Sequence, residues 1–285
     1  MSKRQKQIER AVGHIERELR EDRTPSLESI ANAAGLSAYH FHRIFKLMTG
    51  ETCAQAITRL KLAQSTPALR DPQKAITDAA MTAGYSSSQA YSKAFKRVLL
   101  DTPTQVKDDP ERLDAVIKAL LEPECEGSDP PAKIRIGSLE PLEILVMSTV
   151  GEYPNLIETY GALYDRAGGP DSVHAALGIF AQDIDLASGR DFEFDAAIVP
   201  RNVALDGTSR LGRADYAIIQ HTGADAEIPT TLDTLYSAIL AQADTHFRDA
   251  PYLFHYIDDP EFVDEDECRI DLYIPISRVE GPKVG

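Results

Sequence analysis

Two short stretches hold the side chains best suited to touch another molecule. In Gly35-Leu36-Ser37-Ala38-Tyr39-His40-Phe41-His42-Arg43-Ile44-Phe45-Lys46, and again in Gly84-Tyr85-Ser86-Ser87-Ser88-Gln89-Ala90-Tyr91-Ser92-Lys93-Ala94-Phe95-Lys96, apolar residues recur among cations, amides and hydroxyls. Phe41, Ile44 and Phe45, or Tyr91, Ala94 and Phe95, make an inward helical stripe. Tyr39, His42, Arg43 and Lys46, or Ser88, Gln89, Ser92, Lys93 and Lys96, are expected to face outward. That outward chemistry suits the edges of DNA bases: an arginine grips guanine with two hydrogen bonds, glutamine does the same to adenine, and tyrosine packs on a thymine methyl. Lys46, Lys96 and Arg97 suit phosphates, which fix register without reading sequence.

The elements that must position these groups are legible around them. Each stretch follows a helix ending in a small-residue pair, Ala33-Ala34 or Thr82-Ala83. The glycine after it adopts the left-handed backbone that closes a helix, and the serine two residues on, Ser37 or Ser86, is expected to cap the next helix. Helix, glycine turn and capped polar helix form the helix-turn-helix plan, whose second helix enters the major groove. One such turn is common among helical hairpins; two in series are much harder to dismiss. The pattern also predicts a helix near Ile8–Glu21, a second beginning at a Ser26 cap, and a connecting helix over Glu51–Leu69. At about 1.5 Å per residue the connector spans roughly 28 Å, close to the ~34 Å between successive major-groove segments on one DNA face.

The net charge of −15 conceals a division. Through Lys107 there are 17 Lys+Arg against 10 Asp+Glu, net +7, which leaves 13 against 35, net −22, for the remainder. A basic first part is the electrostatic footprint of a polyanion, and the acidic remainder restricts contact with DNA to that part. A chain of 285 residues has room for two cores. The expected division is 1–110, a linker over 111–132 rich in Pro, Gly and acid, and 133–285. The chain lacks an apolar run of roughly 18 residues and a basic-then-apolar leader, so neither a membrane span nor export is expected. Cys53, Cys125 and Cys268 are too scattered for a disulfide framework or zinc site, which points to the reducing cytoplasm.

Residues 8–107 resemble the DNA-binding domain of the AraC/XylS family of bacterial transcription regulators. The resemblance is carried by Ser26-Leu27-Glu28-Ser29-Ile30-Ala31, Gly35-Leu36-Ser37, Phe41-His42-Arg43-Ile44-Phe45-Lys46, Thr49-Gly50, Arg59-Leu60-Lys61-Leu62-Ala63, Gly84-Tyr85-Ser86-Ser87 and Phe95-Lys96-Arg97. It implies that Tyr39, His42 and Arg43, then Ser88, Gln89, Ser92 and Lys93, read bases. It also implies promoter or operator DNA and RNA polymerase as partners, with the protein a monomer or homodimer. The family's Gly-x-Ser-Pro is replaced by Leu100-Asp101-Thr102-Pro103. Asp101, read in the glycine's place, is expected to alter the last turn or to set an acid near a phosphate.

The acidic half changes character. Lys133–Leu139, Leu142–Thr149, Phe192–Val199, Tyr216–His221, Tyr252–Ile257 and Arg269–Ile276 read as strands, and Asn155–Ala167 and Pro229–Ala243 as helices, which makes an α+β domain. Leu156, Tyr160 and Ala162 recur as Leu232, Tyr236 and Ala238, each set following a strand and a glycine, Gly151 or Gly223. Two strand–helix–strand–strand units paired about a pseudo-twofold axis would leave a groove between their helices.

This half resembles the GyrI-like, or AraC-type effector-binding, domain over about residues 133–277. The matching residues are Asp215-Tyr216-Ala217-Ile218-Ile219-Gln220-His221-Thr222-Gly223, Tyr256-Ile257-Asp258-Asp259-Pro260 and Ile270-Asp271-Leu272-Tyr273-Ile274-Pro275. In that family a glutamate commonly precedes by two the tyrosine represented by Tyr256. Phe254 stands there, so neither pairing with a cation nor proton transfer carries over. His255 beside it faces the other side of the strand. The resemblance implies a small-molecule effector, and the residues suggest an apolar or aromatic one, with Tyr160, Tyr164, Tyr236, Phe254 and Tyr256 lining its groove. Two alternatives are a hydrolase fused to a DNA-binding domain and an acidic domain that docks on a protein. No catalytic set, cofactor motif or metal site stands out; the carboxylates from Asp258 to Glu267 read as a solvated turn.

Overall fold

A computed structural model describes residues 3–71, 73–121, 134–151, 156–180, 192–202, 205–242, 244–260 and 262–278. The chain divides into two compact units, Met1–Gly127 and Ser128–Gly285.

The first unit is all helical: α1 Lys3–Arg20, α2 Leu27–Ala34, α3 Ala38–Thr49, α4 Cys53–Leu69, α5 Ile76–Thr82, α6 Ser88–Leu99, α7 Pro103–Lys107 and α8 Pro110–Leu121. Ser26 starts α2 by accepting from the Ser29 amide, and Gly35 ends it at φ 66°. Thr52 and Gln55 exchange side chain and backbone bonds at the start of α4, a reciprocal cap that fixes where the connector begins. Ile15, Ile30, Ala31, Phe41, Ile44 and Phe45 are buried in the first half. In the second half, Tyr91 and Phe95 of α6 share a core with Leu62 and Leu69 of α4 and Ala79 and Ala80 of α5.

That second core extends into the stretch expected to be linker. Leu113, Val116 and Leu120 of α8 pack into it. Arg59 donates to both oxygens of Glu51, at 2.6 to 3.1 Å, and to the Leu120 carbonyl. Arg70 reaches Asp114 at 2.5 Å. Apolar residues at helical spacing in Leu113–Leu120 make this segment the closing helix of the first unit. Residues 122–132, the rest of the expected linker, lie outside the described residues, as does Lys133.

The second unit is α+β, as the sequence suggests. Its strands are β1 Arg135–Leu139, β2 Leu142–Gly151, β3 Val173–Phe180, β4 Phe192–Pro200, β5 Ser209–Leu211, β6 Ala214–Thr222, β7 Thr245–Phe247, β8 Tyr252–Tyr256 and β9 Arg269–Arg278, with helices α9 Leu156–Ala167 and α10 Ile228–Leu240. All pairings are antiparallel, in the order β1-β6-β9-β8-β3-β4-β2-β5, and β7 also pairs with β9. The runs β2-α9-β3-β4 and β6-α10-β8-β9 are two copies of one strand–helix–strand–strand unit. They meet where β3 pairs with β8, the duplication expected from the Tyr160 and Tyr236 repeat.

Both helices cover one face of the sheet. Opposed residues in antiparallel strands share a face, and His221, Ile270, Tyr256 and Ala176 stand opposite one another in turn across β6, β9, β8 and β3. From α10, Thr231 Oγ1 lies 2.8 Å from His221 Nδ1; from α9, the Tyr160 ring lies 5.7 Å from that of Tyr256. Gly178 sits on this face, and any Cβ there would fall 2.8 Å from the Phe180 ring and 3.0 Å from the Tyr256 hydroxyl. The other face carries Ile144, Leu177, Ala197, Tyr216, Ile218 and Leu253 in apolar clusters of its own.

Candidate nucleic-acid interface and ligand cavity

On α6 the polar face is open. Gln89, Lys93, Lys96 and Arg97 are exposed and Ser88 and Ser92 half-buried, while Tyr91, Ala94 and Phe95 turn inward. The cap is Ser87, whose hydroxyl accepts from the Ala90 amide at 3.2 Å, and not the expected Ser86. The second turn is one residue longer than the first, so α6 repeats α3 at an offset of 50, and the cap moves with it.

The equivalent face of α3 is partly closed. Lys46 is exposed and His42 half-buried, and the Tyr39 side chain lies outside the described residues. Arg43, expected outward, is 6% exposed and His40 1%. Both take part in the chain's own interactions. By helical phase Arg43 points away from Phe41, Ile44 and Phe45, so its burial is invisible to periodicity.

The helix terminator also needs correction. The residue with the glycine-like backbone is Leu100, at φ 60° and ψ 8°, and not Asp101. Asp101 accepts from Arg112 of α8, at 2.8 Å from Nε and again from Nη2. Its charge is therefore satisfied within the first unit and ties the end of α6 to α8.

In the second unit the five expected lining residues do not form one surface. Tyr160 donates to the Leu177 carbonyl at 2.6 Å and gathers with Tyr164 and Tyr256. Burial raises the phenol pKa of Tyr160 and of Tyr164, so both remain protonated donors. Phe254 is fully buried, its ring 4.5 Å from Phe180, and Tyr236 is buried against Phe247 with rings 4.9 Å apart. Both are core residues: Phe254 points to the side of the sheet that the helices cover, and Tyr236 is a buried residue of one of those helices, α10.

A cavity of about 200 Å³ opens on the opposite face. Its walls are Leu139, Leu142, Ala175, Leu177, Val199 and Leu253, and its polar groups are His174, His255 and Tyr273. Burial lowers the pKa of His255 and raises that of Tyr273, the latter helped by Asp271. Asp271 stands opposite His255 across β8 and β9. It is 7% exposed, accepting from Arg135 Nη2 at 2.8 Å and Gln220 Nε2 at 3.2 Å. Apolar walls with a few convergent polar groups are the usual make-up of a small-molecule site. Sequence reasoning placed His255 on this face and missed the rest, since β3 was not recognised. Among the described residues no three His, Cys, Asp or Glu side chains gather as metal ligands, and no helix is long and apolar enough to cross a membrane.

Residues 30–109 match the family model for a helix-turn-helix domain, and residues 132–277, just over half the chain, match that for the GyrI-like small molecule binding domain. The chain is an AraC-family helix-turn-helix protein with a C-terminal GyrI-like domain. It is 33% identical over 99 residues to the Right origin-binding protein of Escherichia coli K12, covering 35% of this chain and 32% of that protein. It is 34% identical over 91 residues to the Transcriptional regulator Rob of Salmonella typhimurium, covering 32% and 29%. The chain thus aligns with about a third of the length of these relatives. The crystal structure of the EcmrR C-terminal domain aligns with 52% of this chain and 98% of its own, at 11% identity and a TM-score of 0.41.

Proposed function

We propose that this AraC-family protein is a sequence-specific transcription regulator that binds operator DNA through its first unit and is controlled by an apolar or aromatic small molecule held in the GyrI-like domain. The observation that carries the reading is the exposed face of α6, where Gln89, Lys93, Lys96 and Arg97 project from a buried Tyr91–Phe95 stripe. Gln89 has the two-pronged geometry that reads adenine, and the cations suit flanking phosphates. Lys46 and His42 give the first copy a smaller share of the contacts. The effector reading rests on the 200 Å³ apolar cavity. Control requires the ligand to bind one state of the protein more tightly than the other, because equal binding shifts nothing. The regulator acts on RNA polymerase in the cytoplasm, as a monomer filling one asymmetric site or as a dimer on repeated sites.

Selection of duplexes from a random library by the full chain, at stated salt, tests the DNA part. The expected result is a motif of two blocks about one helical turn apart, ~34 Å. No enrichment over input at any salt would remove sequence-specific recognition. Adding single-ring aromatic compounds to the selected duplex is expected to change operator affinity; no change with any compound that binds the protein would remove the control by effector.

A further inference from the structure

We infer that the cavity of the GyrI-like domain selects an uncharged, single-ring aromatic molecule bearing a hydroxyl, and that Arg135 sets this choice by occupying Asp271. The inference rests on the effector reading above and gives its ligand a chemical class.

Size comes first. An apolar cavity of roughly 150 Å³ holds benzene, so about 200 Å³ is room for one substituted ring. Charge comes second. Leu139, Leu177 and Leu253 offer a cation nothing in return for its lost hydration. The buried carboxylate next to the cavity is Asp271, and both its oxygens are occupied, Oδ2 by Arg135 and Oδ1 by Gln220. A ligand cation entering here meets a neutralised pair, with the guanidinium adding repulsion. A ligand hydroxyl fares better, because Tyr273 can donate to it and the half-buried imidazole of His255, its pKa lowered by partial burial, can accept from it.

Arg135 is suited to be the determinant. It stands on β1 with its side chain 63% exposed, whereas the Asp271 side chain is 10% exposed. The guanidinium therefore reaches in from the rim, and its removal leaves the apolar core in place. With Arg135 gone, Asp271 becomes a buried carboxylate in need of a counter-ion, which a ligand cation can supply.

The test is isothermal titration of the full chain near neutral pH with 4-tert-butylphenol and with (4-hydroxyphenyl)trimethylammonium, which share a shape and differ by one charge. Wild type is expected to favour the neutral compound by at least about tenfold, or about 1.4 kcal/mol. Arg135→Gln is expected to move that ratio toward the cation by about tenfold or more, and adding Asp271→Asn to restore it. Asp271→Asn alone is expected to keep the neutral preference, which provides a second readout if Arg135→Gln unfolds. A wild type that binds the cation as tightly as the phenol overturns the charge argument and leaves the cavity as a ligand site. A ratio unmoved by Arg135→Gln in a protein that still melts cooperatively does the same. No saturable binding of either compound overturns the effector reading together with the inference.

Discussion

At an offset of 50, Phe41 and Tyr91, Ile44 and Ala94, and Phe45 and Phe95 hold the same inward positions of α3 and α6, all buried. Around these shared positions the two helix-turn-helix copies differ. Arg43 is 6% exposed, while its counterpart Lys93 is open to solvent. Ser37 and Ser87 both occupy the cap position. Ser87 accepts an amide, but the Ser37 hydroxyl is buried with no hydrogen-bond partner among the described residues. The first helix ends on Gly50 at φ 76° and the second on Leu100 at φ 60°. A helical stripe is constrained by packing, which tolerates few shapes, whereas caps, termini and outward faces are free to specialise. The second copy keeps its outward face open to solvent, and in the first Arg43 and His40 are buried.

The comparison is sharpest in the stripe. Phe41→Ala and Phe95→Ala each remove a fully buried ring and are expected to cost about 3–5 kcal/mol apiece in urea unfolding. If one cost less than half the other, the claim that the two copies share an equally packed core would not survive. The outward positions should then separate. Arg43→Ala is expected to lower stability by about 1–3 kcal/mol, since it strands whatever its buried guanidinium satisfies. It should leave base preference unchanged. Gln89→Ala is expected to leave stability alone and to cost about 1–3 kcal/mol of DNA affinity at a single base position. Relaxed specificity on Arg43→Ala, at a position the selected motif defines, would restore the first copy to equal standing as a reader.

How much of this was legible beforehand follows the range of the interactions involved. The inward stripes, the Ser26 cap, the Gly35 and Gly84 turns and the duplicated half around Tyr160 and Tyr236 are local periodicities, and each stands where the sequence places it. Arg43 is misleading because its helical phase is outward although the residue is buried. α8 reads as linker in the sequence because the acidic, proline-rich run after Leu120 masks the apolar spacing of Leu113, Val116 and Leu120. β3 was missed because Ala175, Ala176 and Gly178 dilute its strand character, although Gly178 is there to admit the Phe180 and Tyr256 side chains. The expected groove between the helices and the cavity lined by His255 lie on opposite faces of the sheet, which stays hidden in the sequence for the same reason. With β3 unplaced, alternation along Leu253, Phe254 and His255 defines two faces but does not say which one the helices cover.

The caps give a smaller contrast with opposite signs. Ser87→Ala removes a bond to the Ala90 amide and is expected to lower stability by about 1 kcal/mol. Ser37→Ala removes a buried hydroxyl that has no partner among the described residues, so stability is expected to hold or rise. Equal losses at the two serines would mean that both cap their helices in solution.

The smallest expected effect lies at the helix ends. Leu100 holds a left-handed backbone that costs a non-glycine residue about 1–2 kcal/mol, and glycine gives back roughly 0.5–1 kcal/mol of that through the greater freedom of its unfolded chain. Its side chain is 85% exposed, so little packing is lost on removal. Leu100→Gly, which makes the second terminus like Gly50 of the first, is therefore expected to raise stability by about 0.5–1 kcal/mol, seen as a higher urea midpoint at unchanged slope. DNA affinity should not move, because the Asp101–Arg112 tie that follows is untouched. A lower midpoint would show that Leu100 contributes more by contact than it loses to its backbone, and the second copy's terminus would then be a specialised feature and not a strained one.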